Sequence, residues 1–218
     1  MGFMLVAEGM FRSVAWARDR WLAPNGVVLP AECTVWLAPF SNVALVDKLA
    51  GYWCSRPYGV DLSVLAPRAL EQRFCRPVID VLPEDSLLAA PVAVWYLDCA
   101  TMTGDDADEH IARFDFSASR PEAPFHGLAA WFTCMLCDGV ELATGPDHSP
   151  THWEQTLLFV GTRSDAHGLA LGEGGRVTGK LRWLVAGLDM GVAIAGEVTC
   201  ADEVAPKGFV RRLVLNMV

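Results

Sequence analysis

The sequence predicts a mainly β fold, an antiparallel barrel or sandwich with an N-terminal helix and one helical insertion. The first observation is a series of short runs rich in Val, Trp, Phe and Leu, separated by Gly, Pro and Asp, which is typical of strands and turns. The second is helical spacing of apolar residues ahead of this series, and the third is a break in the series between residues 40 and 74.

The N-terminal helix is predicted from Ala7 to Leu22, a segment whose only glycine is Gly9. The sequence Ala23-Pro24-Asn25-Gly26 then ends it. Residues 1–26 are therefore assigned to a helical segment and residues 27–218 to the β domain. The positions that recur at helical spacing are Phe11, Val14, Ala15, Arg18 and Leu22.

The strands follow this helix along most of the remaining chain. Their number predicts a sandwich or a closed barrel, and closure would remove the exposed edges that so many apolar strands create. The predicted strands lie at 27–29, 34–38, 77–82, 91–99, 112–117, 127–137, 155–160, 176–186, 191–198 and 209–218.

Residues 40–74 are predicted to form a mainly helical insertion with two short helices. Pro57, Gly59 and Pro67 break the segment, and apolar residues recur in it at mixed helical spacing. An apolar insertion that projects from a β domain needs a covering surface, and a second copy of the chain is the simplest candidate. The apolar positions are Val43, Leu45, Val46, Leu49 and Tyr52.

Composition limits the class of protein. A hydrophobic fraction of 52% without low-complexity tracts indicates a packed domain. The net charge of −9 would repel a phosphate backbone, so nucleic acid is not expected as a direct partner. Apolar runs such as 90–97 are shorter than the roughly 20 residues that a membrane-spanning helix needs, so no membrane span is expected.

Seven cysteines, an odd number, do not suggest a secreted disulfide framework, and the start of the chain does not resemble a signal peptide. We therefore expect a reducing compartment, cytosol or nucleus. Cys134 and Cys137 have the spacing of half a zinc site without a second pair, and in a strand their sulfurs would point to opposite faces. No metal site is predicted, and the acidic run at 105–109 is interpreted as a solvated loop.

Two places carry candidate functional residues. In SPTHWEQT, His152 and Trp153 close a loop rich in Gly, Pro and Asp and stand at the start of a strand, where a barrel rim would present them to a cleft. Glu8 lies in the predicted first turn of the N-terminal helix, where a carboxylate also suits the helix dipole. Taken alone, a His-Trp pair at a barrel rim is more often structural than functional, and an isolated glutamate at a helix start does not indicate a site.

The motifs MGFMLVAEGM, WARDRWLAPNG, YGVDLS and SPTHWEQT occur in this order, and together they resemble the protein arginine methyltransferases over the whole chain. In that family, two glutamates on one loop grip the substrate guanidinium. A Thr-His-Trp loop on a β-barrel closes the same pocket, and a helical arm inserted in the barrel makes a head-to-tail dimer.

The resemblance assigns roles to residues of this chain. Glu8 matches the second glutamate of the loop, and Met10 matches the methionine packed near the accepting nitrogen. His152 and Trp153 match the Thr-His-Trp element, whose sequence resembles that of the branch of the family that makes asymmetric dimethylarginine. The segment from about Phe40 to Tyr58 matches the dimerisation arm, which in the family docks on the cofactor domain of the partner. Arginine/glycine-rich proteins are the implied substrates.

The sequence also departs from the family pattern. The family's loop begins with Ser-Glu two residues before the Met-Gly that opens this sequence, so the first glutamate is not present. A Gly-rich turn after a strand, which would mark a domain that binds S-adenosylmethionine, is not found; Gly172–Gly175 is interpreted as a turn between strands. We therefore expect this chain alone to bind no cofactor, although the full family enzyme uses S-adenosylmethionine.

The chemistry implied by the resemblance concerns a guanidinium, which is a poor nucleophile while its charge is delocalised. Carboxylates on one side of it would concentrate positive charge there and free the opposite nitrogen to attack, a gain from orientation and fixed electrostatics. Glu8 would supply half of that clamp, and Trp153 a face for the cation. His152 would either pair with an acidic group of the cofactor domain or act as a base.

Three hypotheses follow. The chain is the barrel and dimerisation part of an arginine methyltransferase and is inactive alone, or it is a complete non-catalytic partner that regulates an active family enzyme through the arm. The third hypothesis is an unrelated β-barrel binding module. Methylation of an arginine/glycine-rich peptide with and without an added family enzyme would separate the first two hypotheses. In the third, Glu8 and Trp153 would not share one guanidinium pocket.

Overall fold

A computed structural model describes residues 2–161, 167–186, 189–199 and 206–216. The helices are α1 (Met10–Trp21), α2 (Val43–Cys54), α3 (Ala66–Arg73) and α4 (Gly104–Asp108), with short 3₁₀ turns at Pro57–Gly59, Ser63–Leu65 and Glu84–Ser86. The strands are β1 (Glu32–Phe40), β2 (Val78–Asp80), β3 (Val92–Asp98), β4 (Glu109–Ser117), β5 (Gly127–Cys137), β6 (Val140–Ala143), β7 (Gln155–Phe159), β8 (Arg176–Ala186), β9 (Asp189–Thr199) and β10 (Lys207–Asn216).

The strands form two antiparallel sheets. The first has the order β2-β7-β5-β1-β3 with β6 paired to β5, and the second has the order β10-β9-β8-β4. Both sheets contribute to one hydrophobic cluster, the main core, which includes Val35, Leu37, Phe132, Leu181, Ile194 and Leu213. The predicted antiparallel β fold is confirmed. Within the described ranges, no hydrogen-bonded strand pair joins the two sheets, so the arrangement is a sandwich of two sheets and not a closed barrel.

The central strands β1 and β5 are buried on both faces because a second cluster covers the outer face of the first sheet. Val35 and Leu37 point into the main core, whereas Ala38 and Phe40 point into this second cluster. Alternate residues of a strand point to opposite faces, so one strand serves both clusters. We call the second cluster the outer core; it contains Ala38, Phe40, Leu45, Val46, Leu70, Phe74, Val78, Leu82, Ala129, Trp131, Leu157 and Phe159.

The helices α2 and α3 form the insertion and supply the cover of the outer core. Phe74 stacks on Phe159 of β7 with ring centroids 4.0 Å apart. Asn42 caps α2, since its side-chain oxygen accepts a hydrogen bond from the backbone N–H of Leu45 at 2.9 Å. The predicted helical insertion is therefore present, and its apolar side packs on the sheet.

His126 fixes the start of this insertion. Its Nδ1 accepts a hydrogen bond from the backbone N–H of Asn42 at 3.0 Å, and the side chain is only 2% exposed. Burial lowers the pKa of His126 to about 4, because the charged imidazolium is poorly solvated there. The neutral ring therefore helps to hold the N-terminal end of α2 through its hydrogen bond with Asn42.

Three sequence predictions are corrected. The N-terminal helix begins at Met10 rather than Ala7, because Gly9 (φ 63°), its N-cap, has a left-handed backbone conformation that is not helical. Residues 27–29 form no strand, and the side chain of Val27 is 73% exposed. The acidic run begins in α4, where Thr103 and Asp106 form a capping box.

Of the residues that the structure describes, none belongs to a helix long and apolar enough to span a membrane.

The cysteines divide into buried and exposed groups. Cys33, Cys99 and Cys134 are buried together, with Sγ–Sγ distances of 3.1 Å from Cys134 to Cys33 and 3.9 Å from Cys33 to Cys99. Cys137 is exposed, so the prediction that Cys134 and Cys137 point to opposite faces is confirmed. Hydrogen bonding with Cys134 and Cys99, together with burial, raises the pKa of the Cys33 thiol.

In a Cys200→Ser variant, we expect an aromatic disulfide reagent to label three thiols quickly in the native protein and six after denaturation. The three fast thiols are Cys54, Cys75 and Cys137, because only a solvent-accessible thiolate reacts. The substitution removes Cys200, which lies outside the described residues. Mass spectrometry of the labelled peptides checks the assignment, and fast labelling of Cys33 or Cys134 would contradict it.

Candidate functional site

The N-terminal loop, residues 2–9, is anchored in the main core. The backbone N–H groups of Val6 and Ala7 donate to the carbonyl oxygens of Met4 (2.8 Å) and Phe3 (3.2 Å). Gly2 and Leu5 form a bridge, and the side chains of residues 4–7 are buried. The loop is therefore a fixed part of the fold.

Glu8 stands at the end of this loop, half-buried, two residues before α1 begins. The prediction that it lies in the first helical turn is wrong, because Gly9 at the N-cap has a left-handed backbone and the first turn contains no acidic residue. A Cβ atom on Gly2 would come within 2.7 Å of Glu8 Cγ. Glycine at position 2 therefore allows the carboxylate-bearing side chain to lie against the start of the loop.

The Thr-His-Trp turn, residues 151–154, forms the second part of the site. The backbone N–H of Glu154 donates to the carbonyl oxygen of Thr151 at 3.1 Å and closes the turn. His152 is exposed, whereas Trp153 is half-buried and packs edge-to-face on Phe132 with ring centroids 5.6 Å apart. The turn therefore presents an imidazole and holds the neighbouring indole against the main core.

The N-terminal loop and the Thr-His-Trp turn are in contact. The rings of Phe3 and His152 lie with centroids 6.5 Å apart and planes inclined by 33°. Glu8 lies near the end of this loop, and Met10, the first residue of α1, is 48% exposed. The structure thus brings two segments that are about 150 positions apart in the sequence to one side of the molecule.

Both segments hold non-glycine residues in left-handed conformations. Met4 and Leu5 do so in the loop, and Glu154 (φ 48°) does so directly after the His-Trp pair. Such a residue costs of order 1 to 3 kcal/mol and persists where the surrounding structure determines it. Residues of this kind cluster at binding and catalytic sites, so their presence in both segments favours a functional role for the contact region.

Gln155 is a positioning residue that the sequence analysis missed. Its side-chain oxygen accepts a hydrogen bond from the backbone N–H of Leu82 at 2.7 Å, and its amide nitrogen donates to the carbonyl oxygen of Thr144 at 2.8 Å. The side chain is 2% exposed. Gln155 therefore ties the segment after the Thr-His-Trp turn to the residues that follow β2 and β6. The only sequence signal for this role was an amide side chain next to an apolar run.

Replacing Gln155 with Leu should lower the free energy of unfolding by about 2 kcal/mol, because a buried N–H and a buried C=O would each lose a partner. Denaturant unfolding followed by circular dichroism measures the change. Gln72→Leu is the matched control, since Gln72 is exposed on α3 and should change stability little. Equal effects of the two substitutions would rule out the network as the source of stability.

The described residues do not fit a nucleotide cofactor. All of the strand pairs among them are antiparallel, so they contain no parallel βαβ unit of the kind that binds a dinucleotide at its first turn. In the same ranges, no group of three or more His, Cys, Asp or Glu side chains is arranged to hold a metal ion.

Residues 31–183 match the family model described as "Arginine methyltransferase oligomerization subdomain". The chain belongs to the protein arginine methyltransferase family. The matched region contains the Thr-His-Trp turn and the helical insertion, whereas Glu8 and Met10 precede it. The family predicted from the motifs is thus confirmed, and the chain contains the C-terminal, oligomerisation part of a protein arginine methyltransferase.

Curated relatives are similar over most of this chain. A probable protein arginine N-methyltransferase 6.2 of Oryza sativa subsp. indica is 30% identical over 192 residues, covering 73% of this chain and 48% of the relative. Protein arginine N-methyltransferase 6 of Xenopus laevis is 33% identical over 165 residues, with coverages of 73% and 48%. The chain therefore spans about half the length of the curated relatives it matches.

Solved structures share the fold. Arabidopsis thaliana protein arginine methyltransferase 10, in an open conformation, has a TM-score of 0.75 at 24% identity, covering 98% of this chain and 68% of that chain. The Trypanosoma brucei PRMT1 enzyme-prozyme heterotetrameric complex with AdoHcy has a TM-score of 0.78 at 21% identity, with coverages of 98% and 66%. The similarity to these structures extends over nearly the whole chain, α1 included.

Proposed function

We propose that this chain is the substrate-gripping and dimerising part of a protein arginine methyltransferase, which methylates the guanidinium of arginine in proteins. The contact between Phe3 and His152 is the observation that carries the proposal, because it places the loop that bears Glu8 beside the Thr-His-Trp turn. Arginine/glycine-rich proteins in the cytosol or nucleus are the proposed substrates. The sequence Thr-His-Trp supports asymmetric dimethylarginine as the product.

Each residue has a proposed role in holding the guanidinium. The Glu8 carboxylate accepts hydrogen bonds from its N–H groups, which only donate. Trp153 supplies an aromatic face for the cation, and Met10 packs near the accepting nitrogen. His152 is exposed, so it is free to meet an acidic group of a neighbouring domain and align it with the turn. We assign His152 this positioning role ahead of a role as base.

The methyl donor of the family, S-adenosylmethionine, does not fit the described residues of this chain. The proposal therefore assigns its binding to another polypeptide segment, and the helical segment at residues 1–26 is proposed to link to it. What this chain contributes is orientation and charge: it fixes the planar guanidinium against a carboxylate and an indole.

Methyl transfer to an arginine/glycine-rich peptide tests the proposal. The chain alone should transfer no methyl group from S-adenosylmethionine, and the chain joined to a family cofactor domain upstream of residue 1 should be active. A fusion in which the same cofactor domain is followed by an unrelated β domain is the control. Activity of the chain alone would overturn the assignment of the donor to another segment.

A regulatory partner is the second candidate function. It is favoured by the lack of fit to a nucleotide, since a chain of this kind can still bind an intact family enzyme through the arm. Adding the chain to such an enzyme should then change its rate in proportion to the heterodimer formed. An unchanged rate with proven heterodimer formation would argue against regulation.

Dimerisation through the α2 arm is part of the proposal. The arm leaves Val43 (50%) and Tyr52 (56%) exposed beside the outer core, and Tyr58 is 97% exposed. Exposed apolar residues grouped on one projection are typical of an interface. We expect the protein with its cofactor domain to be a homodimer, or a heterodimer with a family enzyme.

In the protein that carries a cofactor domain, Tyr52→Asp should weaken the dimer by about tenfold or more, since it places a charge in an apolar contact. Sedimentation equilibrium measures the dissociation constant. Val140→Asp is the matched control, because Val140 is 48% exposed on β6, away from the arm. Dimers of equal strength in both variants would exclude the arm as the interface.

A further inference from the structure

An aromatic pocket opens on the outer face of the first sheet, separate from the contact between the N-terminal loop and the Thr-His-Trp turn. Its volume is about 280 Å³. Trp36 of β1 and Trp131 of β5 line it and lie directly opposite each other in the strand register. Both belong to the face that carries the outer core, so the pocket lies on the side of the sheet away from the main core.

Thr133 and Pro91 also line the pocket, and the other lining residues come from two chain segments. Glu84 and Leu87 belong to the 3₁₀ turn after β2 and the residue that follows it. The turn 145–148 supplies Gly145, Pro146, Asp147 and His148, and it precedes the Thr-His-Trp turn by only two residues. The pocket is therefore close in sequence to the Thr-His-Trp turn, although Glu8, His152 and Trp153 do not line it.

The pocket is preformed. Trp36 Nε1–H donates to Thr133 Oγ1 at 3.1 Å, which fixes the orientation of that indole. A Cβ atom on Gly145 would lie 2.9 Å from Trp131 Nε1 and 2.5 Å from Asp147 Oδ1. Glycine is thus needed for the turn to lie against Trp131, which is itself only 5% exposed. A fixed cavity loses little conformational freedom when it binds a ligand.

The charge of the lining selects a cation. The carboxylates of Glu84 and Asp147 are both exposed at the mouth, and the residues that the structure places around this pocket include no Lys or Arg. His148 Nδ1 lies 2.8 Å from Asp147 Oδ1, which holds this carboxylate beside the ring at the pocket. The whole chain, with its net charge of −9, also attracts cationic peptides.

Indole rings and carboxylates together suit a guanidinium better than an ammonium. A guanidinium is flat, more weakly hydrated, stacks on aromatic faces and offers several N–H donors to carboxylates. The three methylenes of an arginine side chain match the apolar walls made by Leu87, Pro91 and Pro146. A lysine ammonium would lose more hydration on entering the same recess.

We propose that this pocket binds the side chain of an arginine presented by a peptide, at a place distinct from the Glu8 clamp. Its use as a second docking point for arginine-rich substrates rests on the proposed function, whereas the binding itself does not. A peptide with several arginines would then engage both recesses and be retained longer than a peptide with one.

Titration of the purified chain with N-acetyl-arginine methylamide tests the inference. The indole N–H resonance of Trp131, assigned with Trp131→Phe, should shift with the arginine compound, less with the lysine analogue, and not with the neutral citrulline analogue. Equal shifts with citrulline, or no shift with arginine, would overturn the proposal. Free arginine that binds tenfold more tightly than the capped form would overturn it in favour of an amino-acid site.

Variants connect the binding to the pocket. Glu84→Gln combined with Asp147→Asn should weaken binding by about fivefold or more, as expected for two exposed carboxylates that face one cation. Gly145→Ala should also weaken it, because the added methyl displaces the turn. Asp138→Asn, an exposed charge change in the turn between β5 and β6, is the control and should have no effect.

Unchanged binding in both pocket variants would refute the assignment, and circular dichroism of each variant checks that it is folded. These measurements involve no methyl transfer. A failure of arginine binding would therefore leave the proposed methyltransferase role standing, and a failure of methyl transfer would not remove the pocket.

Discussion

Glu8→Gln should lower the rate of arginine methylation by about 100-fold in the protein that carries a cofactor domain. The amide keeps the size of the side chain but loses the negative charge of the carboxylate that would bind the guanidinium. Removal of one well-placed electrostatic partner at an active site commonly lowers kcat by about 100-fold to 1,000-fold. Glu8 is half-buried against Gly2, so the substitution replaces a held carboxylate rather than a mobile one.

Steady-state kinetics with an arginine/glycine-rich peptide measure this effect. Glu141→Gln is the matched control, since Glu141 is exposed on β6 and should leave kcat unchanged. Because the proposed clamp acts mainly on orientation in the reacting complex, kcat should fall more than KM rises. A Glu8→Gln enzyme with normal kcat would remove Glu8 from the catalytic machinery.

Acidification should destabilise the fold through His126. The folded-state pKa of His126 is about 4, below the usual value of 6.5 for an exposed histidine, because burial disfavours the charged ring. Above pH 6.5 both states are neutral there and the contribution is fully present. As the pH falls from 6.5 towards 4, the unfolded chain binds a proton that the folded chain excludes, so about 3 kcal/mol of stability is lost.

Protonation of Nδ1 would also remove the acceptor for the Asn42 N–H, so the loss should begin at the start of α2. His126→Asn keeps an acceptor in a similar place but does not titrate, so its stability should depend less on pH over this range. His148→Asn, at an exposed histidine, is the control. Urea unfolding between pH 4 and 7 provides the test; a His126→Asn protein with the same pH dependence as the parent would contradict the assignment.

The sequence predicted those elements whose signal is local. The run at 176–186 became β8, because apolar residues alternate along it and glycines precede it. The start of α1 was misplaced because Gly9, inside the predicted helix, has a left-handed conformation at the N-cap, which glycine adopts readily. The four-residue β6 carries too short a pattern to be recognised, and it pairs only because β5 lies beside it.

The residues of the candidate site likewise divide into those with a local sequence signal and those without one. The Thr-His-Trp turn was found from its motif, since three residues in sequence carry the signal. Gln155 and His126 were missed because their partners, Leu82 and Asn42, lie 73 and 84 positions away. A buried polar residue is recognised only through the groups that satisfy it, and those groups become neighbours only in the folded chain.

The central claim is that the N-terminal loop and the Thr-His-Trp turn share one arginine-binding cavity, and a crystal structure of the assembled protein with an arginine peptide tests it most directly. The account predicts a guanidinium nitrogen about 3 Å from the Glu8 carboxylate, in contact with the ring of Trp153. A guanidinium bound without either group, or Glu8 and Trp153 opening into different cavities, would contradict the account.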